Sequence, residues 1–234
     1  MEAAILAGGR GVRMRPATDD CPKPMLPIGG RPLLEHQLEW LKRSGVTEVH
    51  LCLGYKAESV RDHFGDGSRW GLALNYSVES SPRGTAGAIK DLKDWKGEDL
   101  LVVYGDLFID MDLGRLSAFH QGRPGAATLV VWNTDHPHDS DLVKVEDGRV
   151  AGFYRDPKAE PKGQLALAAV WVVRRPLLAL AQADTPSDFG RDVFPRALAE
   201  GLPLNAYVTD ERIDDVGTFE RRERFLKKWE NRQG

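Results

Sequence analysis

The chemistry in this sequence begins at its first turn. An apolar run, Ala3–Leu6, ends at Ala7-Gly8-Gly9-Arg10-Gly11, and two cations follow, Arg13 and Lys23. Glycines let backbone N–H groups come close to anionic oxygens, arginine offers a rigid forked cation, and lysine offers a mobile one. Those are the components a triphosphate requires. Lys23 stands between Pro22 and Pro24, which stiffen the backbone on both sides and favour a placed cation over an ordinary surface lysine. The commoner phosphate loops do not fit. A dinucleotide fingerprint begun at Gly9 needs glycine where Met14 stands, and no Gly-Lys-Ser/Thr follows to complete a Walker A motif. Taken alone, the glycines also suit a plain strand–turn–helix corner.

Alternating elements must position this loop. Ala3–Leu6 reads as a buried strand, Leu33–Leu41 as a helix with Gly45 as its stop, and Val49–Leu53 as the next strand. Ser59–Phe64 is a short helix, Leu72–Val78 a strand, Gly84–Leu92 a helix, and Leu100–Tyr104 a buried strand ending at Gly105-Asp106. This alternation predicts an α/β fold with a parallel sheet covered by helices on both faces, its ligands at the carboxyl ends of the strands. Both Gly8-Gly9 and Gly105-Asp106 fall at such ends. The second half reads as strands at Ala127–Trp132, Leu142–Glu146, Val150–Tyr154, Leu165–Val173 and Leu204–Val208, with Asp147-Gly148 marking a hairpin. Helices are expected at Pro176–Ala183, Val193–Glu200 and Thr218–Glu230, the last with Phe219, Phe225, Leu226 and Trp229 as its apolar stripe. With no repeat, low-complexity tract or linker, we expect one domain over residues 1–234.

Composition narrows the partners. Charged residues make up 29% and hydrophobic residues 41% of 234, which fits a folded globular chain rather than a disordered one. A net charge of -3 argues against general nucleic-acid binding but not against a nucleotide. Cys21 and Cys52 show neither CxxC nor zinc spacing; Cys52 reads as a buried free thiol and points to a reducing cytoplasm. No apolar run approaches the ~20 residues of a membrane span, and the start carries no basic region of a signal peptide.

The residues after the loop carry a resemblance. The chain reads Leu6-Ala7-Gly8-Gly9-Arg10-Gly11-Val12-Arg13, then Pro16-Ala17-Thr18, then Pro22-Lys23-Pro24-Met25-Leu26-Pro27. This resembles the signature of the sugar-1-phosphate nucleotidyltransferases: Leu-Ala-Gly-Gly-x-Gly-Thr-Arg, Pro-x-Thr and Pro-Lys-Pro. Within the signature Val12 replaces a threonine. The likeness continues through Gly84-Thr85-Ala86-Gly87, Gly105-Asp106 and Asp215-Val216-Gly217-Thr218, and so spans essentially the whole chain. Gly54-Tyr55-Lys56, Phe64–Gly71 and Tyr76-Ser77 make it most similar to guanylyltransferases acting on mannose 1-phosphate or a manno-heptose 1-phosphate.

The resemblance implies the family's Rossmann-like, doubly wound, mostly parallel mixed sheet in three α/β/α layers. It also implies a nucleotide-binding half at 1–125 and a sugar-phosphate half at 126–234. The implied reaction is attack of a sugar-1-phosphate oxygen on the α-phosphorus of a nucleoside triphosphate, with Arg13 clamping the triphosphate and Lys23 neutralising the reacting phosphates. Mg²⁺ is the implied cofactor, held by Asp106 and Asp215; Asp214 is the bystander, and the bland reading of Asp106 is a turn or capping aspartate. Leu6, Ala7, Gly8, Gly9, Gly11, Gly84 and Thr85 would line the nucleotide. Glu79 aligns with the family's base-reading position, where a carboxylate suits the N1–H and N2–H donors of guanine; an exposed glutamate reading nothing is the alternative. On the sugar side the family's Glu-Lys-Pro becomes Arg155-Asp156-Pro157-Lys158, and its Asn-Ala-Gly-x-Tyr strand becomes Leu167-Ala168-Ala169-Val170-Trp171. Gly152, Arg155, Lys158, Trp171 and Asp192 are the expected lining groups there, and these departures bear on which sugar is used.

Two further features read as ordinary surface. His136-Pro137-His138 looks metal-like but is expected to be a polar loop. The tail Arg221-Arg222…Lys227-Lys228 alternates with Glu220, Glu223 and Glu230 and is expected to be a solvated helix face. Trp40, Trp70 and Trp171 read first as packing residues. Rival readings are a uridylyl- or thymidylyltransferase, a silent nucleotide-sugar sensor, and a cytidylyltransferase for another alcohol phosphate. The sensor is disfavoured because Arg13, Lys23 and both aspartates are kept, and the cytidylyltransferase by the Pro-Lys-Pro and Asp-x-Gly-Thr set. The sequence allows a homo-oligomer and leaves assembly open.

Overall fold

The computed structural model describes residues 1–92, 94–134, 137–154, 165–182 and 185–231. Its first elements are β1 (Glu2–Ala7), β2 (Pro27–Ile28), β3 (Arg31–Pro32), α1 (Leu33–Arg43), β4 (Glu48–Leu53), α2 (Ala57–Phe64) and β5 (Ala73–Val78). Next come α3 (Gly84–Lys90), β6 (Asp99–Tyr104), β7 (Leu107–Asp110), α4 (Leu113–Gln121), β8 (Ala127–Asn133), β9 (Leu142–Glu146), β10 (Arg149–Tyr154) and β11 (Leu165–Arg174). The last are α5 (Phe194–Ala199), β12 (Leu204–Val208), β13 (Arg212–Asp215) and α6 (Phe219–Glu230). The expected α/β architecture, with parallel and antiparallel strands mixed, is therefore the one the chain adopts. Two details differ. The helix expected at Pro176–Ala183 is a 3₁₀ turn at Arg175–Leu180, and the one expected at Val193–Glu200 begins earlier, as a π turn at Phe189–Val193 running into α5.

Two compact units share the chain and interleave in it. Glu2–Pro82, Val103–Met111 and the stretch from Arg212 form the first; Arg83–Val102 and Asp112–Glu211 form the second. In the first, β1, β4 and β5 run parallel, Ala3 opposite Val49 and Val49 opposite Leu74. Ala3, Ala4, Ile5, Val49, Leu51 and Leu53 are all buried, as strands of a parallel sheet covered on both faces are. Helix α1 anchors the segment after β6. Buried Gln37 donates from Nε2 to the carbonyls of Tyr104 and Leu107, both at 2.8 Å, and Trp40 Nε1 donates to Met111 O at 2.8 Å. The amide and indole N–H donors are thereby satisfied, and β7 is fixed against α1. β7 pairs antiparallel with β13, which sets Leu107 opposite Asp215.

In the second unit β11, β8, β12, β10 and β9 lie side by side in that order. β8 and β12 are parallel and the other pairs antiparallel. The β9–β10 hairpin turns at Asp147 and Gly148 with φ of 49° and 72°, the two positive values its two-residue loop needs. β11 bulges between Leu167 and Trp171, where Ala169 holds φ of 54°. Trp171 packs against Phe189 and Phe194 at ring separations of 5.6 and 5.2 Å, the aromatic centre of this unit.

Candidate active site

Lys23 lies in a one-turn 3₁₀ helix, Lys23–Met25, that begins at Pro22 and carries Pro24 in its first turn. Its Nζ donates to Asp106 Oδ2 at 3.0 Å and to the carbonyl of Gly217 at 3.1 Å. Asp106 is reached from β6 through Gly105, whose N–H donates to Leu6 O at 2.9 Å, while Asp106 O accepts from Val216 N at 3.0 Å. The backbone is thus pinned on one side to β1 and on the other to the residue after Asp215. Asp215, the last residue of β13, accepts from Gly217 N–H at Oδ1 and from Arg221 Nη1 at Oδ2, both at 2.6 Å. A β-carbon on Gly217 would stand 2.6 Å from Asp106 Oδ2 and 2.8 Å from Asp215 Oδ1. The two carboxylate oxygens therefore lie no more than twice that larger distance apart, converging over a glycine.

Glu79 lies just past β5, its N–H donating to Leu53 O at 2.9 Å. Its Oε1 is 2.7 Å from where a Gly8 β-carbon would stand and 3.2 Å from the same point on Gly54. Glycine at position 8 lets the carboxylate approach the first loop so closely, while a β-carbon on Gly54 would meet the Gly8 carbonyl oxygen at 2.7 Å. Gly8 O accepts from Tyr55 N at 3.1 Å. Leu6 and Ala7 end β1, and Gly9 and Arg13 are exposed. Gly11 holds φ of 62° and accepts Thr18 Oγ1 at 2.9 Å, so the threonine of Pro16-Ala17-Thr18 braces the loop. Buried Met14 anchors the turn that presents Arg13.

The remaining expected residues fall in the second unit or outside the described residues. Gly84 has φ of 71°, and a β-carbon there would meet Ser187 O at 2.4 Å, so glycine is required. Thr85 Oγ1 donates to Asp188 Oδ2 at 2.8 Å and accepts from Phe189 N at 2.9 Å. Asp192, within the π turn, accepts at Oδ2 from Asp188 N at 2.7 Å, while Asp188 caps that turn by accepting from Arg191 N at 3.0 Å. Gly152 sits at a register shift between β10 and β9. Trp171 is buried. Arg155 and Lys158 lie outside the described residues, as does His136 of the polar loop.

The sequence reading missed Arg221. It was expected on a solvated face, but its side chain is 11% exposed and held on Asp215; Arg222 likewise donates from Nη2 to Pro27 O at 2.7 Å. The signal was present in the spacing: Arg221, Phe225 and Trp229 recur every four residues and share a face. Phe225 and Trp229 pack with Ile28, Leu33, Phe108 and Val216, whereas Phe219, expected in the stripe, is exposed. Asp214 pairs instead with Arg212 Nε at 2.8 Å. Cys21 and Cys52 form no disulfide, and Cys52 is buried. Partial burial raises the Cys21 thiol pKa, with Lys56 and Arg222 pulling it back. A separate group, Glu2, Glu48 and His50, gathers near the amino-terminal ends of β1 and β4, where His50 Nε2 lies 2.8 Å from Glu2 Oε2. Among the described residues no helix is long and apolar enough to cross a membrane.

A family model described as nucleotidyl transferase matches residues 2–229. A mannose-1-phosphate guanylyltransferase of Mycobacterium tuberculosis is 33% identical over 223 residues, covering 94% of this chain and 62% of the relative. A UTP–glucose-1-phosphate uridylyltransferase of Synechocystis is 28% identical over 233 residues, covering 93% and 60%. The chain thus spans about three fifths of the length of these curated relatives. Among solved structures, HddC from Yersinia pseudotuberculosis, complexed with GMP-PN, has the same fold. It aligns with a TM-score of 0.81 at 23% identity, over 97% of this chain and 99% of that one.

Proposed function

This chain belongs to the nucleotidyl transferase family, and from that premise we propose that it transfers a nucleotidyl group, guanylyl by preference, to a sugar 1-phosphate of mannose or manno-heptose type. The observation that carries this reading is the convergence of Lys23, Asp106 and Asp215 on Gly217. In the proposed reaction a phosphate oxygen of the sugar attacks the α-phosphorus, the bond to the β-phosphate oxygen breaks, and pyrophosphate leaves. Two anions must meet, so positive charge and orientation carry the catalysis and no protein nucleophile is needed. Arg13, exposed on its turn beside the glycines, is placed to clamp the triphosphate, and the Leu6–Gly9 and Gly11 backbone lines it. Lys23 is already oriented by two acceptors and brings its charge to the reacting phosphates without searching for a rotamer.

The carboxylate pair fits a hard divalent cation. Its donors are all oxygen, and they gather around a glycine that leaves the space between them unfilled. Asp106 and Asp215 would hold Mg²⁺, which when bound supplies charge neutralisation on the triphosphate. Glu79, packed against Gly8 and Gly54, is the proposed reader of guanine. The sugar phosphate is assigned to the second half, with Gly152, Arg155, Lys158, Trp171 and Asp192 as its proposed surroundings. This reading describes a cytoplasmic enzyme that acts on small molecules.

A uridylyl- or thymidylyltransferase is the second reading, favoured by the likeness to the Synechocystis uridylyltransferase. Incubating the protein with GTP, UTP, dTTP, CTP and ATP against a panel of sugar 1-phosphates, and measuring pyrophosphate, tests both. Turnover with UTP or dTTP and none with GTP overturns the base assignment. No turnover with any pair overturns the proposed reaction.

A further inference from the structure

Helix α6 is charged over most of its surface, yet Arg221 lies on its inward side. Its packing through Phe225 and Trp229, four and eight residues on, directs Arg221 toward the interior as well. Thr218 fixes the start of the helix by accepting Arg221 N–H at 3.3 Å, and the guanidinium then meets Asp215 Oδ2. With Gly217 N–H on Oδ1, both oxygens of Asp215 are engaged. Asp106 is engaged in turn by Lys23. Each carboxylate of the pair thus carries a cation supplied by the chain itself.

We propose that Arg221 is a positioning residue that sets the cation affinity of the Asp106–Asp215 pair, keeping it low enough that a divalent ion is taken up with a triphosphate rather than alone. The proposal rests on the nucleotidyl-transfer reading for the identity of the ligands. Two carboxylates offset by two cations present little net field to a lone divalent ion, and an ion entering beside Arg221 and Lys23 is repelled by both. A triphosphate reverses the balance, because its own negative charge accompanies the ion and engages the cations. Arg221 holds Asp215 in place through α6, so orientation and restraint come from one side chain.

The test is Mn²⁺ binding, by titration calorimetry and by the paramagnetic resonance signal of the free ion, on nucleotide-free protein. Mn²⁺ alone is the probe, since it shares the oxygen preference of Mg²⁺. Arg221→Gln is expected to bind it about tenfold more tightly than the native chain, because removing a unit charge beside a divalent ion is worth about that factor even at water-like screening. Arg221→Lys, which keeps the charge, is expected to remain near the native affinity, and Asp215→Asn combined with Arg221→Gln to lose the gain. Thermal melting confirms that each variant is folded, and Arg221→Met replaces the glutamine variant if that one is not. A folded neutral variant that binds Mn²⁺ no better than the native chain, or worse, overturns the proposal. So does a lysine variant that gains as much as the neutral one. Absence of native turnover with every substrate pair would instead remove the reaction on which the proposal rests, which separates the two failures.

Discussion

Lys23 Nζ stands 3.0 Å from Asp106 Oδ2 and 3.1 Å from the carbonyl of Gly217, joining positions 83 and 194 residues apart in the chain. The amine bridges a carboxylate at the end of β6 and the turn after β13, so one side chain holds together the two segments that carry the acidic pair. Pro22 and Pro24 make that reach possible by fixing where the lysine leaves the backbone. Lys23→Met should therefore do two things. It removes a positioned cation, which lowers turnover by about 10²–10³-fold, and it leaves Asp106 without this partner. Pyrophosphate release measures the first, and a guanidinium unfolding curve measures the second. Native turnover in a folded Lys23→Met chain would remove the lysine from the reaction.

Gly217→Ala is the smallest change that tests the geometry of the pair. The new methyl would stand 2.6 Å from Asp106 Oδ2 and 2.8 Å from Asp215 Oδ1, inside the contact distance of both. The neighbours are carboxylate ends, which can swing away, so the chain is expected to fold. The swing spreads the pair by a fraction of an ångström or more. Misplacement of that order costs about 10²-fold in turnover, with stability nearly unchanged by thermal melting. An active Gly217→Ala enzyme would show that the convergence of the two aspartates is incidental.

Ala169 holds φ of 54° at the bulge of β11, a conformation that costs an L-residue with a β-carbon about 1–2 kcal/mol. The resemblance places a glycine at this position in related chains. The backbone here holds a left-handed geometry that suits glycine, although the residue is alanine. Ala169→Gly should stabilise the protein modestly, by up to about 1 kcal/mol once the greater freedom of unfolded glycine is deducted. A urea midpoint that falls in this variant would mean that the alanine methyl makes compensating contacts.

What is legible in the sequence depends on how local its determinants are. The Leu6–Pro27 stretch could be read because its determinants are local: glycines that open a loop, prolines that fix a lysine, a strand that ends where the glycines begin. Asp106 and Asp215 are not a local pattern. Their meeting depends on β7 pairing with β13, four residues each and too short to show a period, and on Gln37 and Trp40 holding that segment to α1. Only resemblance pointed to the two aspartates together. Arg221 is hidden in the sequence for a different reason. Charge on a helix is read as solvated, but its four-residue spacing to Phe225 outweighs its type, as the 11% exposure shows. Phe219 errs in the opposite sense: six positions before Phe225, it is off that face and stays exposed.

Glu79 is where nucleotide preference is expected to be decided. The carboxylate approaches Gly8 more closely than a β-carbon there would allow, and a β-carbon on Gly54 would crowd it at 3.2 Å, so both glycines leave room for it beside the loop. A carboxylate there accepts and does not donate, which matches the adjacent N1–H and N2–H of guanine and mismatches the O4 or O2 acceptors of a pyrimidine. Glutamine in the same place offers one acceptor and one donor. Glu79→Gln should thus exchange one charge-assisted hydrogen bond for a donor–donor clash on guanine while gaining a partner on uracil or thymine. A lost charge-assisted bond is worth about 1.5–3 kcal/mol, so the ratio of kcat/KM for GTP over UTP or dTTP should fall by about 10–100-fold. Because neither the acidic pair nor Lys23 is touched, the fall should appear mainly in the GTP term, with turnover on pyrimidine triphosphates unchanged or raised. Equal losses on all nucleotides would instead make Glu79 a brace for the first loop. In that case base choice would have to reside in the Leu6–Gly9 backbone, which the glutamate supports.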